Sequence, residues 1–150
     1  MTIRSATSKD IEVLVSLMGL FYAESGFPLD DLWAAESFTS LLGNPERGGV
    51  WMALETDSVV GYVVLSIRHT MEHGGLGAYI DDLYVKPECR RRGAATALLN
   101  SLLAECQGRG CKSIHVEAGE LNQPAWRLYA KFGLQQAADG RVLLSRRLLS

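Results

Sequence analysis

Apolar side chains recur along this chain with two different periods, and the switches between them mark its elements. Residues 2–6 have the character of a short strand. Ile11, Leu14, Val15, Met18 and Tyr22 then repeat at helical spacing, with Ser8 as the expected N-cap and Gly26 and Pro28 as the stop. A second helix is expected over 29–42. Its first turn carries Asp30 and Asp31, where the macrodipole favours acids. The period then shortens: 50–55 and 59–67 are rich in β-branched and aromatic residues and read as a hairpin through Thr56-Asp57-Ser58. A glycine-containing loop over 69–77 leads to a strand over 78–85, closed by Pro87. From Gly93 the stripe Ala95, Leu98, Leu99, Leu102, Leu103, Cys106 predicts a helix that Gly108 and Gly110 end. A strand over 113–118 follows. Asn122 then caps a helix with Pro124 in its first turn, running to Phe132. Segments 134–137 and 142–148 are expected to pair across Asp139-Gly140.

The order β-α-α-β-β-β-α-β-α-β-β predicts an α/β fold: one mixed, twisted sheet with helices on both faces, in a single domain over 1–150. The 150 residues are 47% hydrophobic and 21% charged, which excludes a disordered chain. A net charge of −2 argues against a general polyanion binder. The longest apolar run, near 59–65, is too short to span a bilayer, and the first ten residues lack a signal-peptide core. Three cysteines without a CxxC pair suggest neither a disulfide framework nor a zinc site, so a reduced, cytoplasmic protein is expected.

The chemistry concentrates after the strand over 78–85. Three arginines, Arg90, Arg91 and Arg92, fill a turn, and a helix opens with Gly93-Ala94-Ala95-Thr96. The first amides of a helix lack internal partners, and small residues let a ligand approach them closely. Such a site suits phosphate, and a pyrophosphate above all. No P-loop sequence is present, and Gly75-Leu76-Gly77 precedes a strand where a dinucleotide fingerprint would follow one.

Val85-x-Pro87-x-x-Arg90-x-x-Gly93-x-Ala95, followed by Leu98-Leu99, resembles the (Q/R)-x-x-G-x-(G/A) motif of the GNAT family of N-acetyltransferases. Asn122-x-x-Ala125-x-x-Leu128-Tyr129-x-x-x-Gly133-Leu134 is similar to the family's N-x-x-A-x-x-L-Y-x-x-x-G-F, with Leu134 in place of Phe. The resemblance implies acetyl-CoA as cosubstrate, without a metal, lying between the strands over 78–85 and 113–118. Its pantetheine is expected on the strand at Leu83, Tyr84 and Val85, chiefly through backbone groups of Leu83 and Val85. Its pyrophosphate is expected on the amides of Arg91 to Thr96. Asn122 is expected to contact the pantetheine arm, and Tyr129 to protonate the departing sulfur.

An amine acceptor must lose a proton before it attacks, and Asp81 and Asp82 are the leading candidates for the base. Strand alternation sends them to opposite faces, so one is expected to face the acceptor. Glu24, Glu117 and Glu120 are further candidates. His69 and His73 are read as loop residues, His115 as a packed or hydrogen-bonded strand residue, and Cys89 as uninvolved, because direct transfer needs no enzyme nucleophile. In this family the acceptor pocket is built near 21–33 and 69–79, a region holding Glu24, Asp30, Asp31, Glu72, Asp81 and Asp82. That acidity suits a small cationic primary amine: a polyamine, an aminoglycoside or an amino-acid-like molecule. A protein lysine or N-terminal amine is an alternative acceptor, and a catalytically silent CoA-binding module on the same fold is a rival role. The implied partners are CoA and the amine, with no nucleic acid or membrane; a homodimer is compatible.

Overall fold

A computed structural model describes residues 1–149. Contacts divide the chain into two units, one over Met1–Glu117 and one from Ala118 onward. In the first, β1 (Thr2–Ser5), α1 (Ile11–Ser25), α2 (Asp31–Leu42), β2 (Gly48–Glu55), β3 (Ser58–Thr70), β4 (Gly75–Val85), α3 (Ala94–Gly108) and β5 (Ser113–Val116) follow in order. The strands lie side by side as β1-β2-β3-β4-β5, antiparallel except for the parallel pair β4–β5. The mixed sheet and the α/β class therefore match expectation.

Local chemistry explains the boundaries. Thr7, rather than Ser8, caps the first turn: its hydroxyl accepts from the Lys9 amide, while Asp10 accepts from the Thr7 amide at 2.7 Å. The Asp30 carboxylate accepts from the amides of Leu32 and Trp33, so α2 starts one residue after it. Thr56 and Asp57 both take positive φ, +48° and +65°, the mirror-image turn whose twist suits a two-residue hairpin. β3 and β4 run further than their sequence suggests. His69 lies within β3 opposite Leu76, and the expected loop shrinks to a turn through Met71–Gly74.

β3 is buried almost continuously from Val60 to Leu65, as a central strand covered on both faces must be. On one face Val50, Met52, Tyr62, Val64 and Tyr84 pack with Leu14 and Leu17 of α1 and Phe38 of α2. The alternate residues, including Trp51, Ala53, Val63 and Leu65, are buried on the other face, where α3 contributes Leu98, Leu99 and Leu102.

The second unit contains α4 (Gln123–Ala130), which Asn122 caps by accepting from the Ala125 amide at 3.2 Å. Gly133 (φ +78°) ends the turn that follows, with the Leu134 amide donating to the Tyr129 carbonyl. The two last strands of the expected order do not form; no residue of 134–149 is in a strand. The turn at Asp139-Gly140 is present, with Gly140 at φ +73° and Asp139 accepting from the Arg141 amide and guanidinium. A hairpin with no third strand is marginal at best, and the flanks here are short on one side and without alternation on the other.

Candidate active site

β5 pairs with β4 only from Gly77 to Ile80, although β4 continues to Val85. The edge of β4 beyond Ile80 is therefore not covered by β5. The Lys86 amide donates to the Val60 carbonyl, and hydrogen bonding alternates along an antiparallel pair. Leu83 and Val85, opposite Val63 and Gly61, consequently turn their backbone groups toward the uncovered edge. Tyr84 turns its own back to β3 and buries its ring against Phe21. Of the three residues expected along the pantetheine, two present their backbone there. The Val85 carbonyl already accepts from Arg90 Nε at 2.8 Å.

Beyond this edge the chain turns into α3. Ala97 makes the first intrahelical bond, to the Gly93 carbonyl, and no side chain caps the amides of Ala94, Ala95 and Thr96. Gly93 holds φ +87°, and a Cβ placed on it would meet no atom within 4 Å, so the approach to these amides is open. The three arginines are not equivalent. Arg90 pairs bidentately with Glu24 (2.8 and 2.9 Å), and Arg92 pairs with Glu55 at 2.9 Å. Arg91 sits at φ +65°, and its guanidinium makes no ion pair or hydrogen bond among the described residues.

The base candidates separate in the same way. Register between β3 and β4 breaks at Val64/Leu65: Val64 faces Asp82, Leu65 faces Ile80, and Asp81 is the extra residue of a bulge. Alternation is lost at that point, so Asp81 and Asp82 both line one cavity of about 840 Å³ between the sheet, α1 and α2. The expectation of opposite faces is corrected by the bulge. Asp82 is buried, and its carboxylate accepts from the Tyr62 hydroxyl (2.9 Å) and the Tyr22 hydroxyl (3.3 Å). Burial pushes the Asp82 carboxyl up to about 6, and the neighbouring Asp81 charge adds to the rise. The tyrosine hydrogen bonds oppose it. Burial and the nearby carboxylates push Tyr22 up to about 12. Asp81 is exposed and accepts from the Ser66 hydroxyl at 3.4 Å. A carboxylate that titrates near neutrality inside a cavity is suited to hold an ammonium and take its proton.

The other acids are placed elsewhere. Glu24 is committed to Arg90, Asp30 to the start of α2, and Glu72 lies 3.7 Å from His73. Glu117 and Glu120 are exposed. Residues 69–79 do not line the cavity. They carry Tyr79, which stacks on His115 (4.6 Å) beneath Arg68, while His115 Nε2 lies 2.9 Å from the Ser113 hydroxyl. No group of three or more potential metal ligands occurs among the described residues. Tyr22 and Tyr62, the partners of Asp82, look like ordinary members of an apolar stripe and a core strand. Contacts across 60 and 20 residues leave no local mark.

In the second unit Tyr129 is buried, which pushes its phenol up to about 12 and keeps it protonated at neutral pH. Its hydroxyl makes no hydrogen bond among the described residues and still reaches solvent.

The model of the acetyltransferase (GNAT) family matches residues 14–134, which span both motifs. The chain belongs to the GNAT family. An integron cassette protein from the mobile metagenome of Cole Harbour Salt Marsh superposes on this GNAT chain with a TM-score of 0.87. That protein is 35% identical, and the match covers 99% of this chain and 91% of the other. A predicted acetyltransferase of Clostridium acetobutylicum, solved with acetyl-CoA, is 26% identical at a TM-score of 0.80, over 96% and 95% of the two chains. Human cysteine-rich protein 2-binding protein is 30% identical over 103 residues. That match takes in 69% of this GNAT chain and only 12% of the human protein. No helix among the described residues is long and apolar enough to cross a membrane.

Proposed function

We propose that this GNAT protein transfers the acetyl group of acetyl-CoA directly to the primary amine of a small cationic molecule. The observation that carries the proposal is a coincidence of position on β4. At Ile80 the strand loses β5, and the next two residues, Asp81 and Asp82, enter the cavity through the bulge. An acyl group laid along the uncovered edge therefore ends beside two carboxylates.

The pyrophosphate rests on the uncapped amides of Arg91 to Thr96, with Arg91 as the cation left to face it. Leu83 and Val85 pair with the pantetheine as an added strand would. Asp81 and Asp82 hold the acceptor's ammonium, and Asp82 takes its proton. Asn122 and Tyr129 carry the roles their motif implies: a carboxamide for the pantetheine and a protonated phenol for the departing sulfur. The supporting properties are the pKa of Asp82 and the free, protonated hydroxyl of Tyr129. Thiol release from acetyl-CoA over a panel of amines tests the proposal. Turnover with at least one primary amine is expected. Tight CoA binding with no turnover on any amine would reduce the protein to a binding module.

A further inference from the structure

The cavity carries two charges that acetyl transfer alone does not use. Glu36 and Arg47 both line it, both are exposed, and neither side chain makes an ion pair or hydrogen bond among the described residues. Glu36 lies on the α2 stripe Trp33, Glu36, Ser37, Ser40, whose spacing of three and four puts these side chains on one side of the helix. Arg47 precedes Gly48, which pairs with Ser66, and Ser66 lies two residues along β3 from Val64, the partner of Asp82. Two strand spacings and three residues place the Arg47 and Asp82 backbones roughly 14 Å apart. The extended arginine shortens that gap by about half. A diamino acid, with ~6 Å between its terminal nitrogen and its α-carbon, spans what remains.

Resting on the acetyl-transfer reading, we infer that the acceptor is a free α,ω-diamino acid. Its terminal amine lies at Asp81 and Asp82, its α-carboxylate on Arg47 and its α-ammonium at Glu36. Val64, Ile67 and Met18 supply the apolar wall for the methylenes between. The charges are complementary in sign: the cavity offers three carboxylates and one guanidinium to two ammonium groups and one carboxylate, with Asp81 and Asp82 sharing the terminal amine. A simple diamine leaves Arg47 without a counter-ion, and a lysine inside a polypeptide offers neither α-charge.

Steady-state thiol release with lysine, ornithine, cadaverine and Nα-acetyl-lysine amide tests this on the wild type, Arg47→Ala, Arg47→Lys and Glu36→Gln. Lysine or ornithine should exceed cadaverine in kcat/KM by tenfold or more. Arg47→Ala should raise KM for the diamino acid by about tenfold or more and far less for cadaverine, with Arg47→Lys recovering part of the loss. Glu36→Gln should raise KM for the free amino acid more than for its Nα-acetyl amide. Cadaverine or the amide as the better acceptor, or an Arg47→Ala effect equal across all four, overturns this inference while acetyl transfer stands. Turnover of none of the four, with aminoglycosides accepted, also overturns it. Turnover of no amine at all overturns acetyl transfer as well.

Discussion

Asp82→Asn should make the protein more stable and less active, and its stabilising effect should grow with pH. The Asp82 carboxyl ionises near 3.8 in an unfolded chain and at about 6 in the folded one, chiefly because it is buried. The native state therefore binds more protons between those values, and stability conferred below pH 4 is lost as pH rises through 6. The ionised native state bears a cost of about 3 kcal/mol at pH 8, falling to about 1 kcal/mol at pH 4.5. Asparagine keeps an oxygen to accept from the Tyr62 hydroxyl and carries no charge, so the variant avoids this cost. Urea unfolding at pH 4.5, 6 and 8 should show the variant gaining about 2 kcal/mol on the wild type across that range. In melting temperature the gain is roughly 4–8 °C. The same variant should lose activity by about 10²-fold or more, because its amide cannot accept the amine's proton. A stability difference that does not change with pH, or a variant less stable than the wild type at pH 8, would refute the assignment of a strained, ionised carboxylate.

Under the proposed role of its hydroxyl as the acid for the departing sulfur, Tyr129→Phe should lower kcat by roughly 10²-fold with little change in acetyl-CoA affinity; a lower melting temperature with normal turnover would mark Tyr129 as a packing residue. Gly93→Val should weaken CoA binding sharply in calorimetry, because a side chain there meets none of the chain itself and fills the approach to the α3 amides; unchanged affinity would move the phosphate site elsewhere. Asp10→Asn should act on stability with the opposite sign to Asp82→Asn. The Arg4 pairing holds the Asp10 carboxyl down at about 2, so its stabilisation is present above pH 4 and fades as pH falls through 2. Thermal unfolding should show the variant destabilised by about 1–2 kcal/mol at pH 7, after allowance for the exposure of Arg4, and equal stabilities at pH 7 would contradict the capping box. CoA and acetyl-CoA should raise the melting temperature by mass action, and ATP and NAD far less; equal shifts would contradict the CoA site.

Local signals made most of the fold legible. The Leu98, Leu99, Leu102, Cys106 stripe of α3 is buried as its period requires, and the Thr56-Asp57 turn forms where the two β-rich segments meet. The open, uncapped start of α3 was legible too, because Gly93 and the small residues after it act through their own backbone. Features set by pairing were hidden. The bulge that brings Asp81 and Asp82 to one cavity depends on where β3 slips against β4, which neither strand's pattern records. Glu24 and Arg90 meet across 66 residues, so three arginines that look equivalent in sequence leave only Arg91 free of an acid or carbonyl partner. The terminal hairpin fails for the converse reason: its turn chemistry is strong, and its flanks are short on one side and without alternation on the other.

Direct transfer is tested most plainly by following the acetyl carbon. With labelled acetyl-CoA and a primary amine that supports turnover, mass spectrometry should find one acetylated amine for each free CoA thiol. The protein itself should stay unlabelled, Cys89 included, whose side chain is buried. Label on the protein that chases into the amine would contradict transfer in one step, and CoA release without an acetylated amine would contradict the amine as acceptor.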